Sequence, residues 1–383
     1  MTKNVPLPLL GGLRPAEFLA EYWQKKPLLI KNAIAGFNGL LSPDELAGLA
    51  CDDEVQSRIV QQKNGKWSMK PGPFDEQDFS KLPNKDWTLL VQSVNHFLPE
   101  ASELLQQFDF IPRARLDDLM VSYAPDGGGV GPHFDSYDVF LLQGQGKRLW
   151  RISEQSDLSL VEGAPLRILQ HFNTEQEWLL EAGDMLYLPP QIAHWGTAVG
   201  AVCMTYSIGF RAPKHQELAS EFLGFMQDRL AQERLVLTGM YQDSDLQLSE
   251  HPAEIHTDMV HKVNEILNKI QWSESDIAQF LGLYLSEPKP DVIFDANKKI
   301  STKVFSEKLA KWGIALDLKS QMLFFGETFY LNGEAASFDN SALEILRDLA
   351  DKRKIGPYTA TDVKLLQQLY DWYIAGYLYF EGE

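Results

Sequence analysis

Between Leu116 and Phe210 the chain breaks into short runs of β-branched, aromatic and aliphatic residues: LMVSYA, DVFLLQ, RLWRI, DMLYLP and VCMTYSIGF. Turn clusters such as PDGGGVGP and EAGD separate them. Many short strands at this spacing predict a barrel or a double-sheet jelly roll. The period then changes. Pro213 closes the last run, and between residues 214 and 286 apolar positions recur every three or four residues, as in ELASEFLGFMQDRLAQERL, AEIHTDMVHKVNEILNKI and ESDIAQFLGLYL. That is the spacing of helices.

SEPKPD at 286–291 reads as a linker. Beyond it, MLFFGETFYLNGEAASF reads as a hairpin turned at Asn332-Gly333. NSALEILRDLADKRK and TATDVKLLQQLYDWYIAG read as helices, and YLYFEG as a final strand. Helices with a hairpin wing predict a winged-helix-like fold. Upstream of the strands, SPDELAGLA carries a capping box, with Ser42 as N-cap, Pro43 in the first turn and Glu45 three residues on. The expected class is mixed α and β. A double-stranded β-helix domain spans 1–212, a helical segment 213–288, and a winged-helix-like domain 289–383.

A chain of 383 residues is too long for one ordinary core, which fits that division. No apolar run reaches the roughly 18 residues of a membrane helix, and MTKNVPLPLLGGLRPAEF makes a poor secretory signal. Cys51 and Cys203 lie far apart and form no zinc pattern, so a reduced cytoplasmic setting is expected. A net charge of −18 repels nucleic acid and membrane headgroups. It suits a basic protein partner, and solubility alone accounts for it equally well.

His-x-Asp/Glu occurs at His133/Asp135, His215/Glu217 and His256/Asp258. Chance supplies about one such pair at this composition, so the spacing by itself is weak. Context separates the three. His215 and His256 lie in helical patterns, where residues two apart face different ways. His133 and Asp135 begin a β-type run, where residues two apart share a face. GDMLYLPPQIAHWG adds His194 after a strand and a Pro189-Pro190 corner. Alone, His194 would be an ordinary core or loop histidine. With His133 and Asp135 it completes a facial triad, which favours non-haem Fe(II) over zinc and leaves three positions open. Two suit a bidentate 2-oxo acid and the third suits O2. Such a cosubstrate needs a cation for its far carboxylate, and KRLWRI offers Lys147 and Arg148. Arginine is the better carboxylate partner, and the plain alternative is two solvated surface charges.

These residues resemble the Jumonji-C ribosomal oxygenases, most closely the bacterial branch that hydroxylates an arginine of a ribosomal protein. The matching stretches are FLAEYWQKKPLLIK, SPDELAGLA, LDDLMVSYAPDGGGVGPHFDSYDVFLLQGQGKRLWR, GDMLYLPPQIAHWG and YSIGFRAP, together with the order of the parts. The resemblance implies Fe(II) on His133, Asp135 and His194, with no catalytic side chain beyond them. It implies 2-oxoglutarate as cosubstrate, its far carboxylate on Arg148, with Ser122 as another contact. Thr205 stands where relatives carry an asparagine beside the cosubstrate. Tyr137 and Asp138 follow the triad and would line the substrate pocket, with barrel packing as the plain alternative for Tyr137. The helical segment would make the protein a homodimer. The substrate would be an arginine of large-subunit ribosomal protein sixteen, hydroxylated at Cβ.

Two other functions compete. One is a Jumonji-C oxygenase acting elsewhere on a basic protein, by histidine hydroxylation or lysine demethylation. The other is a non-catalytic cupin scaffold that binds a partner, against which the intact triad and Arg148 argue. Direct DNA binding by the winged-helix-like domain is not expected: residues 324–383 carry five Lys and Arg against ten Asp and Glu, the reverse of a basic stripe.

Overall fold

The computed structural model describes residues 4–232, 237–248 and 250–382. They form two compact units. The first holds the chain up to Ala212 with Pro290–Phe294 and Asp317–Lys319. Its strands are β1 (Leu28–Ile30), β2 (Ser57–Lys63), β3 (Lys66–Pro71), β4 (Trp87–Val91), β5 (Leu116–Ala124), β6 (Val139–Ser153), β7 (Gln176–Leu180), β8 (Met185–Leu188) and β9 (Ala193–Phe210). They build one nine-stranded antiparallel sheet in the order β1-β8-β6-β9-β5-β4-β2-β3, with β7 also on β6. Four short helices accompany them: α1 (Pro15–Glu21), α2 (Pro43–Leu49), α3 (Glu76–Ser80) and α4 (Pro99–Gln106). Phe18, Phe108, Phe140, Tyr187 and Phe210 meet ring against ring in the core between α1 and the sheet. α2 starts on the capping box read from the sequence: Glu45 N donates to Ser42 Oγ at 3.2 Å and Ser42 N donates back to Glu45 Oε2 at 2.8 Å.

The sequence splits DVFLLQ and RLWRI into two strands, whereas the structure joins them in the 15 residues of β6. The link is a register irregularity around Gly146. Gly146 sits at φ +68°, and a Cβ there would stand 1.7 Å from Val202 O. Only glycine fits so close an approach with this backbone.

The second unit contains α5 (His215–Ala231), α6 (Thr257–Leu267), α7 (Glu274–Ser286), α8 (Thr302–Trp312), α9 (Asn340–Lys352) and α10 (Val363–Ile374). β10 (Ile314–Leu316) joins β14 (Lys354–Ile355) and β15 (Leu378–Tyr379) in a small sheet. β11 (Met322–Phe325), β12 (Thr328–Leu331) and β13 (Glu334–Ser337) form a wing. It is a three-stranded meander, where the sequence reading expects one hairpin. Asn332 and Gly333 turn with φ +51° and +83°, as that reading requires, and Gly326 at φ +61° makes a second turn inside MLFFGETFYL. Phe305, Leu309, Leu346, Leu365 and Trp372 fill the winged-helix core.

Candidate active site

Gly127 to Gly131 carry the chain tightly over the sheet: a Cβ at Gly128 would stand 2.1 Å from Trp87 O, and one at Gly129 2.4 Å from Gly196 O. This approach delivers His133 opposite His194. The two exchange both backbone hydrogen bonds, His133 N to His194 O at 2.9 Å and His194 N to His133 O at 2.7 Å. His133 is therefore held in an isolated bridge, and Asp135 lies in the loop before β6, not on the regular strand expected for both. Convergence survives because the bridge fixes the backbone at His133, two residues before Asp135.

One ligand atom from each of His133, Asp135 and His194 lies within 4.8 Å of the others. Asp135 Oδ2 is 3.6 Å from His194 Nε2. Both Nδ1 atoms pair with carbonyls, His133 with Gly131 O and His194 with Ile192 O, each at 2.9 Å. A carbonyl only accepts, so each Nδ1 carries the proton and each Nε2 keeps its lone pair for an ion. Burial, and the neighbouring His133 after it, push the His194 pKa down to about 4 against the opposing pull of Asp135. The imidazole is thus neutral and ready to ligate at physiological pH.

The triad faces a cavity of about 410 Å³. Arg148 lies on its wall, 4% exposed, with its guanidinium 5.6 Å from the Trp150 ring centre. Among the described residues its Nε and Nη2 have no hydrogen-bond partner. A buried guanidinium with idle donors calls for an anion, and a carboxylate matches its fork. The β6 irregularity selects this residue. Before it the odd positions Val139 and Leu141 line the cavity, and after it the even positions Arg148 and Trp150 do. Lys147 turns outward and pairs with Glu181 at 2.5 Å.

Ser122 and Thr205 line the same cavity on paired strands. Tyr137 stands on its wall, 41% exposed. Burial, and the nearby carboxylates of Asp135, Asp118 and Asp117, raise its phenol pKa and keep it protonated. Asp138 is not brought to the cavity. It is fully buried elsewhere, accepting from Tyr187 Oη at 2.7 Å and Gln24 Nε2 at 2.9 Å, with Arg115 Nη2 at 3.5 Å. It ties the N-terminal segment to the sheet. Of the other two histidine pairs, His215 opens α5 and His256 caps α6.

Several lining residues escaped the sequence reading: Arg58, Thr88, Gln92, Asp117, Asp118 and Met120. Asp118 and Met120 alternate with Ser122 on β5, so the period-two argument applied to LDDLMVSYA would have found them. Thr88 sits in the wholly buried strand WTLLV, where no alternation exists to read.

Residues 103–218 match the JmjC domain family and residues 269–379 the ROXA-like winged helix. The ribosomal protein uL16 3-hydroxylase of Escherichia coli K12 is 35% identical over 96% of this chain and 97% of its own. This chain belongs to the Jumonji-C ribosomal oxygenases. A probable ribosomal oxygenase of Haemophilus influenzae is 38% identical over 62% of this chain and 56% of its own. The solved structure of E. coli YcfD superposes with a TM-score of 0.84 at 33% identity, covering 96% of this chain and 98% of that one. Another YcfD structure, in complex with cobalt and 2-oxoglutarate, superposes at 0.80 with the same identity and coverage. The protein is an enzyme of the 2-oxoglutarate-dependent oxygenase class, with a cupin-type sheet domain and a C-terminal winged helix.

Proposed function

We propose that this ribosomal oxygenase hydroxylates an arginine side chain of a large-subunit ribosomal protein, with His133, Asp135 and His194 as ligands of Fe(II). The donor set fits that ion, and the idle Nε and Nη2 of Arg148 fit the far carboxylate of 2-oxoglutarate. When bound, the iron, the 2-oxo acid and O2 supply the oxidising power for C–H hydroxylation. The chain's own residues bind and orient. The two Nε2 lone pairs and Asp135 define one side of the cavity, and Arg148 and Ser122 fix the cosubstrate's far end.

One observation carries the arginine reading. Asp117, Asp118 and Tyr137 line the cavity that holds the triad. Asp118 is buried, and its Oδ2 accepts from Gln92 Nε2 at 3.1 Å, Ser93 N at 3.0 Å and Ser93 Oγ at 3.1 Å. A carboxylate fixed in place beside an aromatic ring suits a planar cation, while Asp117 Oδ1 already lies 3.7 Å from Arg211 Nε. Fixing the guanidinium would hold a neighbouring methylene toward the metal, a positioning role. The net charge of −18 helps a basic substrate approach. The E. coli relative is named for hydroxylating uL16, which supports the same class of substrate. The work place that follows is the cytoplasm, and the helical segment 213–288 is proposed as the contact of a homodimer.

The test is turnover with Fe(II) and 2-oxoglutarate on a peptide from around a candidate uL16 arginine, read by mass spectrometry. One added oxygen on arginine is expected. It should vanish in His133→Ala, and Asp118→Asn should lower kcat/KM by about tenfold or more, the scale of a charge-assisted hydrogen bond. Oxygen on a histidine, or lysine demethylation, would replace the arginine reading. No succinate with any basic protein would leave a partner-binding scaffold.

A further inference from the structure

We infer that Thr88 supplies a further hydroxyl to the far carboxylate of the cosubstrate, beside Arg148 and Ser122, and that Thr205 is withdrawn from that role by Gln143; this rests on the 2-oxoglutarate reading above. The argument is a proton count. Gln143 is completely buried, and its Nε2 donates to Gln145 O at 2.9 Å and Met204 O at 3.1 Å. Two carbonyl acceptors fix the amide's orientation, so the remaining atom, Oε1, can only accept. Thr205 Oγ1 lies 3.1 Å from that Oε1 and must therefore donate to it. A hydroxyl has one proton. Once Thr205 has given it to Gln143, only lone pairs and a methyl remain for the cavity, and lone pairs repel a carboxylate.

Thr88 is in the opposite state. It is 1% exposed, lines the same cavity as Arg148, and its Oγ1 has no hydrogen-bond partner among the described residues. Nothing among the described residues uses its proton. A buried hydroxyl left idle is costly, as are the two idle nitrogens of Arg148. One bound carboxylate answers all three. Ser122 Oγ lies 3.5 Å from Thr205 O, too long to claim its proton, so it stays available to the same carboxylate. Thr88 is thus a cosubstrate-positioning residue with no counterpart in the sequence motifs.

The test measures the dissociation constant of 2-oxoglutarate by titration calorimetry on Mn(II)-loaded protein without substrate, alongside KM and kcat on a peptide. Thr88→Val, which keeps the shape, should weaken binding by about ten- to a hundredfold, the range for a hydrogen bond to a charged group. KM for 2-oxoglutarate should rise with it while kcat holds within about twofold. Thr88→Ser should restore most of the affinity. Thr205→Val should change affinity less than about twofold while lowering the melting temperature, since it strands Gln143 Oε1. Equal affinity in Thr88→Val and wild type, or a large loss in Thr205→Val, would overturn the inference. Failure of wild-type protein to bind 2-oxoglutarate would instead overturn the reading on which it rests.

Discussion

At the scale of the residue, the centre depends on neutral imidazoles, and this gives a pH signature in metal-free protein. His194 is held at about 4, below its ordinary value of 6.5, chiefly by burial. Between those values the unfolded chain takes up a proton that the folded chain refuses, so stability falls as pH drops from 6.5 toward 4 and levels off below. The full effect is about 3 kcal/mol, from roughly 1.4 kcal/mol per pH unit. Melting curves of the apoprotein should show this slope, and His194→Gln should flatten it; an unchanged slope would mean other groups carry it. The grouping of His133, Asp135 and His194 was legible because strand context, added to residue type, separates its His-x-Asp pair from the two helical ones. Asp138 was misplaced because one position beyond a loop decides which way a side chain turns. Thr88 was silent because its importance lies in a missing partner, which only packing reveals.

At the scale of the element, β6 decides what the cavity contains. A regular strand through VFLLQGQGKRLWR would keep odd positions inward to the end and present Lys147 and Leu149. The irregularity at Gly146 switches the parity, so Arg148 faces the cavity. Gly146→Ala therefore tests the strand as a device. Its methyl would stand 1.7 Å from Val202 O at φ +68°, so the backbone must move. A melting temperature lowered by several degrees is expected, together with a loss of at least about tenfold in 2-oxoglutarate affinity as Arg148 is displaced. Affinity kept despite a lower melting point would show that Arg148 tolerates the shift. The sequence reading broke this strand at its glycines, since glycine ordinarily weakens a strand and here marks the bulge. The wing went the same way. Asn332-Gly333 announced one turn clearly, while FFGETF hid another behind a single glycine.

At the scale of the whole molecule, the hydrophobic period changes at Pro213, where the second compact unit begins, and the helical segment in that unit raises the matter of how its apolar face is covered. α6 buries none of its residues in the described chain. Its Met259, Val260, Val263 and Leu267 recur at helical spacing and stay 44%, 54%, 37% and 56% exposed. An 11-residue helix is marginal on its own in water, so an apolar stripe left open on it lacks the packing that normally sustains a helix. In the proposed homodimer a second copy would supply a matching stripe through a two-fold axis, closing the assembly without another open face. The proposed homodimer should therefore run in light scattering at twice the chain mass of 43.4 kDa. Val263→Asp with Leu267→Asp puts charges into the stripe, which belongs to the second unit. The variant should become monomeric, lose helical signal in the far ultraviolet and still bind 2-oxoglutarate. A dimer that survives both charges would place the contact elsewhere, and a wild-type monomer would leave α6 to a different partner.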